Sequence, residues 1–144
     1  MSQTPSPTYA GEIGAAETWQ RLAADPNAKL VDVRTQAEWA YVGVPDLSTL
    51  GKQPLLVSWQ VFPSMARNEA FSEQLATLGA KPGDTLLLIC RSGVRSKAAA
   101  EYLTQLGYTA CWNVSDGFEG PHDDAKHRGG KAGWKASNLP WVQG

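Results

Sequence analysis

Thr85-Leu86-Leu87-Leu88-Ile89-Cys90-Arg91-Ser92-Gly93-Val94-Arg95-Ser96-Lys97-Ala98-Ala99 is the stretch on which the fold turns. Its first part, Leu86 to Cys90, is the longest uninterrupted apolar run in the chain. A strand with one wet face alternates apolar and polar residues, whereas a continuous run marks a strand covered on both faces, as in a parallel sheet. After Gly93 the period changes, and Ala99, Leu103 and Leu106 fall on one helical face that ends at Gly107. A buried strand running straight into a helix is the unit from which α/β folds are built.

The rest of the chain repeats that alternation. Leu30-Val31-Asp32-Val33, Leu55-Leu56-Val57 and Ala110 to Val114 are further strand candidates. Trp19, Leu22 and Ala23 mark a short amphipathic helix that stops before Asp25-Pro26-Asn27, because a proline disfavours helix in the residue before it. Thr35 to Val42 reads as a second helix with Thr35 as its N-cap. Asn68 is placed to cap a third, with Phe71, Leu75 and Leu78 on its face and Gly79 as its left-handed C-terminal stop. Lys81-Pro82-Gly83-Asp84 has the residue order of a type II turn, and Gly43 to Pro54 reads as an irregular connection. The expected class is α/β, with a parallel sheet flanked by helices on both faces.

Composition narrows the function. The chain has 144 residues, 42% of them hydrophobic, which suits one domain with a real core. Thirteen Lys and Arg against 14 Asp and Glu leave a net charge of −1, so there is no global basic field for nucleic acid or an anionic membrane. No apolar run approaches the roughly 20 residues of a membrane-spanning helix, and the amino terminus lacks the pattern of a secretory signal. A cytoplasmic protein is expected, with no membrane partner. Residues 1–10 are expected to be a flexible tail, 11–120 the domain, and 121–144 a Gly-rich extension anchored by Trp134 and Trp141. The six tryptophans are read as packing residues. His122 and His127, amid Asp123 and Asp124, have no convincing ligand spacing, so neither a metal nor a cofactor is expected.

Two cysteines, not in CxxC spacing, make neither a disulfide scaffold nor a zinc site. Cys90 stands at the carboxyl end of its strand, where α/β sheets bind ligands. The turn through Gly93 allows backbone N–H groups to converge on whatever the cysteine carries. Arg95 and Lys97 lie in the first helical turn, where the macrodipole disfavours cations, and a bound anion would account for them. Loop amides, dipole and arginines together are expected to lower the thiol pKa and give a nucleophilic thiolate. The alternative is that Cys90 is a small buried hydrophobe, as lone cysteines often are; the coincidence of cysteine, arginines, glycine and helix start favours the nucleophile. Cys111, inside a strand without a charged residue beside it, is read as core packing rather than a resolving thiol.

The segment Cys90-Arg91-Ser92-Gly93-Val94-Arg95-Ser96 resembles the active-site loop of rhodanese-domain sulfurtransferases. Leu30-Val31-Asp32-Val33-Arg34 followed by Glu38-Trp39 resembles that family's first signature, and Gly107-Tyr108 with Gly117-Phe118-Glu119-Gly120 its closing segment. The resemblance implies one domain with a five-stranded, mainly parallel sheet. It implies that Cys90 takes sulfane sulfur from a donor such as thiosulfate, becomes a persulfide, and passes the sulfur to cyanide or a thiol, a protein acceptor among them. Arg91 and Arg95 would hold the donor, with the amides of Ser92, Gly93, Val94, Arg95 and Ser96 around the sulfur. Asp32 and Arg34 match the family's supporting pair, either as a structural ion pair beneath the loop or in contact with substrate. Val42-Gly43-Val44-Pro45-Asp46 departs from the family pattern, which commonly has a His and a Gly-Ala step there.

Two rival readings remain. Cysteine phosphatases and arsenate reductases need five residues between cysteine and arginine; here Ser96 stands at that place and Arg95 follows after four, which predicts negligible phosphatase activity. The other is a persulfide carrier or a docking module with little turnover.

Overall fold

The structure, a computed structural model, describes residues 9–61, 66–91, 93–119, 133–134, 137 and 139–142. Most of the expected tail, Ser92, Gly120 and the loop with His122 and His127 lie outside the described residues. In chain order the elements are β1 (Gly11–Ile13), α1 (Ala15–Ala24), β2 (Ala28–Asp32), α2 (Gln36–Tyr41), β3 (Val44–Pro45), β4 (Leu55–Leu56), β5 (Gln60–Val61), β6 (Ala66–Arg67), α3 (Phe71–Thr77), β7 (Thr85–Ile89), α4 (Val94–Gln105), β8 (Ala110–Val114) and β9 (Trp141–Val142), with a 3-10 turn at Ser48–Leu50.

Five strands form one sheet in the order β1-β8-β7-β2-β4, every pair parallel. The apolar run that marked β7 is its central strand, and its side chains serve two cores. Leu86 and Leu88 pack with Val31 and Val33, Phe71 and Leu75 of α3, and Ala99 and Leu103 of α4. Leu87 and Ile89 point the other way, to Leu22 of α1, Leu30, Val114, Phe118 and Trp134. All four β7 leucine and isoleucine side chains are fully buried, so the missing alternation follows from two covered faces.

The C-terminal aromatic residues close the second core. Trp134 is buried, meets Trp19 edge-on at 5.9 Å, and donates its Nε1–H to the Pro140 carbonyl at 2.6 Å. Trp141 in β9 pairs antiparallel with Pro45 of β3 and meets Phe118 edge-on. Among the described residues no helix is long and apolar enough to cross a membrane.

Three local expectations need correction. The Lys81–Asp84 turn closes with the Asp84 N–H on the Lys81 carbonyl at 2.9 Å, but Gly83 is not among the glycines with positive φ, so it is not type II. The Asp84 carboxylate fixes it instead, accepting the Lys81 N–H at 2.9 Å and the Lys29 ammonium at 2.7 Å. Ala70, not Asn68, is the N-cap of α3; Asn68 accepts the Ala70 N–H and donates to the Ser58 carbonyl, tying the β5–β6 hairpin to the helix start. Leu78 and Leu106 are about half exposed, because α3 and α4 end just before them.

Candidate active site

Cys90 follows the last residue of β7 and is 1% exposed. Past the strand end the backbone leaves the ladder, and the turn folds back so that the Gly93 N–H donates to Cys90 Sγ at 3.1 Å. Gly93 is the N-cap of α4 at φ 103°, and a Cβ there would lie 2.4 Å from the Ser115 carbonyl oxygen. Only glycine combines that left-handed conformation with so close a backbone. Ser96, in the first turn of α4 and fully buried, sets its hydroxyl 3.2 Å from the same sulfur.

A second turn clamps the first. The Phe118 and Glu119 N–H groups donate to the Cys90 and Arg91 carbonyls at 2.8 and 3.0 Å. Gly117, at φ 70°, makes the approach possible: a Cβ would stand 2.4 Å from the Arg91 oxygen. The resemblance covers Gly117 to Glu119 without giving them a task; the Phe118 and Glu119 amides hold the backbone of Cys90 and Arg91.

Beneath lies a buried ion pair. Arg34 grips Asp32 through Nε at 3.0 Å and Nη2 at 2.7 Å, donates to the Gly43 carbonyl at 2.6 Å, and stacks over the Phe118 ring at 4.2 Å. Both side chains are wholly buried, and removing one partner from such a pair costs about 3–5 kcal/mol. Arg34 thus reaches the cysteine through Phe118, whose amide holds the Cys90 carbonyl.

The arginines of the loop differ. Arg91 is exposed, and its side chain makes no hydrogen bond or ion pair among the described residues. Arg95 forms a bidentate pair with Glu38 of α2, at 2.6 and 2.9 Å. Burial works to raise the Glu38 pKa, but Arg95 and the Thr35 amide hold it below the usual carboxylate value. In return the Glu38 hydrogen bonds hold Arg95 above its ordinary value against burial, with the charges of Cys90 and Asp32 adding to the effect. Glu38 also completes a capping box with Thr35, so the start of α2 fixes the carboxylate that faces Arg95. The Thr35-to-Glu38 spacing is the sequence signal that would have brought Glu38 into the site. Val94 is exposed at the helix start, and Lys97 is exposed one turn on.

Asn113 of β8 was also missed. It is 2% exposed and touches Ser96, Gly93 and Glu12 at once. A cleft of about 780 Å³ lies nearby between α2, β4 and α3, lined by residues including Trp39, Leu56 and Glu73 but not by Cys90 or its loop.

Comparison with known proteins agrees with this architecture. A family model described as the STR4 middle domain matches residues 10–144. An uncharacterized protein of Rickettsia rickettsii is 40% identical over 130 residues, covering 90% of this chain and 94% of that one. A sulfurtransferase of Allochromatium vinosum is 30% identical, covering 91% of this chain and 94% of its own length. The chloroplastic protein thylakoid rhodanese-like of Oryza sativa subsp. indica is also 30% identical; the match covers 92% of this chain but 25% of that one. The crystal structure of Rv0390 from M. tuberculosis superposes with a TM-score of 0.86 at 46% identity, covering 94% of this chain and 99% of that chain. With the parallel five-stranded sheet, the cysteine at its central strand end and these relatives, the chain belongs to the rhodanese-like family as a single domain.

Proposed function

We propose that the protein is a thiosulfate-type sulfurtransferase that carries sulfane sulfur on Cys90. The observation that supports this most is the Gly93 N–H aimed at a cysteine sulfur in a turn clamped from both sides. A rigid donor already directed at the reacting atom stabilises negative charge without reorganising when the charge develops.

The Cys90 thiolate attacks the outer sulfur of thiosulfate. The Sγ–S bond forms as the bond to the sulfonate sulfur breaks, and its electron pair leaves on sulfite. A thiophilic acceptor, cyanide or a thiol, then attacks the terminal sulfur of the persulfide and returns the thiolate. One nucleophile used twice splits a difficult transfer into two easier displacements. Arg91, exposed beside the cysteine, takes the anionic end of the donor. Arg95, committed to Glu38, supplies field rather than a free hydrogen-bonding fork. The buried Asp32–Arg34 pair supports the loop from below and touches no substrate. A protein thiol is a further acceptor of the same chemistry, since it would attack the same terminal sulfur.

Incubation with thiosulfate should add one sulfur atom to the intact mass, cyanide should remove it, and Cys90→Ala should show neither change. A protein that gains no sulfur, or a Cys90→Ala variant that still does, would refute the proposal.

A further inference from the structure

We infer that Asn113 is a positioning residue for Cys90: it holds the Ser96 hydroxyl proton away from the sulfur, and so disfavours the bare thiolate relative to the thiol and to the sulfur-loaded cysteine. The alkylation arm below stands apart from the proposed function; the sulfur-loading consequence rests on it.

Asn113 Nδ2 lies 2.9 Å from Glu12 Oε1 and 3.1 Å from the Gly93 carbonyl oxygen. Both are acceptors, so the amide nitrogen belongs on that side and Oδ1 must face Ser96. The Ser96 Oγ to Asn113 Oδ1 separation is 2.5 Å. Two oxygens that close require a proton between them, and an amide oxygen has none to give. The single Ser96 proton is therefore spent on Asn113, and Cys90 Sγ, 3.2 Å away, meets a hydroxyl lone pair. A lone pair accepts an S–H but repels a thiolate. The far end of the chain is anchored as well, because the Tyr9 hydroxyl donates to Glu12 Oε2 and that hydrogen bond, with burial, pushes the Tyr9 phenol up to about 12.

The consequence for transfer follows from where the charge sits. In a persulfide, Sγ is bonded to Cβ and to the terminal sulfur, carries no proton and is formally neutral, with the charge on the terminal atom. Withholding the Ser96 proton penalises the bare thiolate and leaves the persulfide untouched, so Asn113 biases the site toward its loaded form. Among the described residues the other charges about the thiol include Arg91 on the same loop, Arg95 on α4 with its Glu38 partner on α2, and the pair of Asp32, the last residue of β2, with Arg34 just past it. None is altered in the variants below.

The test is the pH profile of Cys90 alkylation by iodoacetamide on the full chain, with the modified site located by peptide mass. Asn113→Leu frees the Ser96 proton to point at the sulfur, and the midpoint should fall by about one pH unit, the worth of one hydrogen bond to a charged group. Ser96→Ala should leave the midpoint unchanged or lower, and in that background Asn113→Leu should have no further effect. A rise in Ser96→Ala would show that Ser96 donates to the thiolate and would overturn the inference, as would an unchanged midpoint in a folded Asn113→Leu. Should Asn113→Leu fail to fold, the sign of the Ser96→Ala shift decides alone. In mixtures of thiosulfate and sulfite at a pH above the parent's alkylation midpoint, where the unloaded site is thiolate, Asn113→Leu should also shift the loaded-to-unloaded ratio about tenfold toward unloaded, matching one unit of midpoint. If no variant, nor the parent chain, takes up sulfur, the sulfurtransferase proposal fails while the alkylation profile still judges Asn113.

Discussion

Cys90, just past the end of β7, and Cys111, within the neighbouring β8, are both buried in the same core, and yet their surroundings are opposite. Cys111 lies within β8, opposite Leu86, where the strand's amides are engaged by the ladder and none is left for a side chain. Burial pushes its thiol up to about 11, with a Thr104 hydrogen bond opposing only part of that. Cys90 lies one residue past the ladder, where the chain turns and an amide and a hydroxyl come within reach of Sγ. Solvent exposure does not separate the two. Position relative to the strand end does, because only there are backbone donors available to a side chain.

The strongest way to break this comparison is to exchange the two cysteines as targets. Cys90→Ala should abolish sulfur uptake, and Cys111→Ala should keep it; uptake lost in both would mean that the strand-end distinction is irrelevant. Next in size is Gly93→Ala. Its Cβ would meet the Ser115 oxygen at 2.4 Å at a φ of 103°, so the turn must open and carry the amide off the sulfur. Strain of this kind costs about 1–3 kcal/mol, and a misplaced donor should slow sulfur uptake by about tenfold or more. Gly79→Ala is the control. It has the same φ but nothing within 4 Å of the added carbon, so it should lose some stability in urea denaturation and keep the uptake rate.

A smaller effect tests the helix side of the loop. Glu38 has its pKa lowered in the folded protein, so its contribution to stability is complete above the unfolded carboxylate value, about 4.3, and is lost as pH falls through the lower folded value. Urea midpoints measured from pH 6 down to pH 3 should show that loss, and Glu38→Gln should flatten part of it. Lysine–carboxylate pairing at Asp84 adds a slope of the same sign, for burial raises that carboxyl while Lys29 and the Lys81 amide outweigh it, so the curve flattens but does not become level. A Glu38→Gln profile that coincides with the parent's would show that Arg95 is held by something else.

What was legible in the sequence follows the same division between local and distant causes. β2, β7, β8 and α4 declared themselves because each is an apolar pattern longer than a turn, and the cysteine, Gly93 and helix start are contiguous. β1 was hidden: Gly11-Glu12-Ile13 has no apolar run, and becomes a strand only by lying beside Trp112 to Val114. The two-residue strands β3 and β9 are likewise products of pairing. At the site, the expectation that cations in the first turn of α4 need an external anion was answered for Arg95 from within the chain, by a glutamate 57 residues away. Asn113 and the Gly117 clamp are long-range in the same way, and no local spacing announces which strand end will lie beside which turn.

The smallest predicted effect is the most discriminating. Cys111 sits inside the β8 ladder and its thiol is pushed up to about 11, so in the native protein at pH 7–8 it should stay protonated, resist alkylation and become reactive only when urea unfolds the chain. Cys111→Ala removes one sulfur from a packed core and should cost about 1 kcal/mol, in the range of a small core truncation. Its sulfur uptake and its Cys90 alkylation profile should both match the parent's. A change in the alkylation profile would mean that the two sulfurs are coupled through α4, with Ala99 and Leu103 packed on Cys111's side of the sheet and Ser96 on the other thiol, and the contrast between the strands would then be one of degree. An unchanged profile with a lowered urea midpoint would locate the whole contribution of Cys111 in packing, and leave the strand end as the sole source of the difference in reactivity.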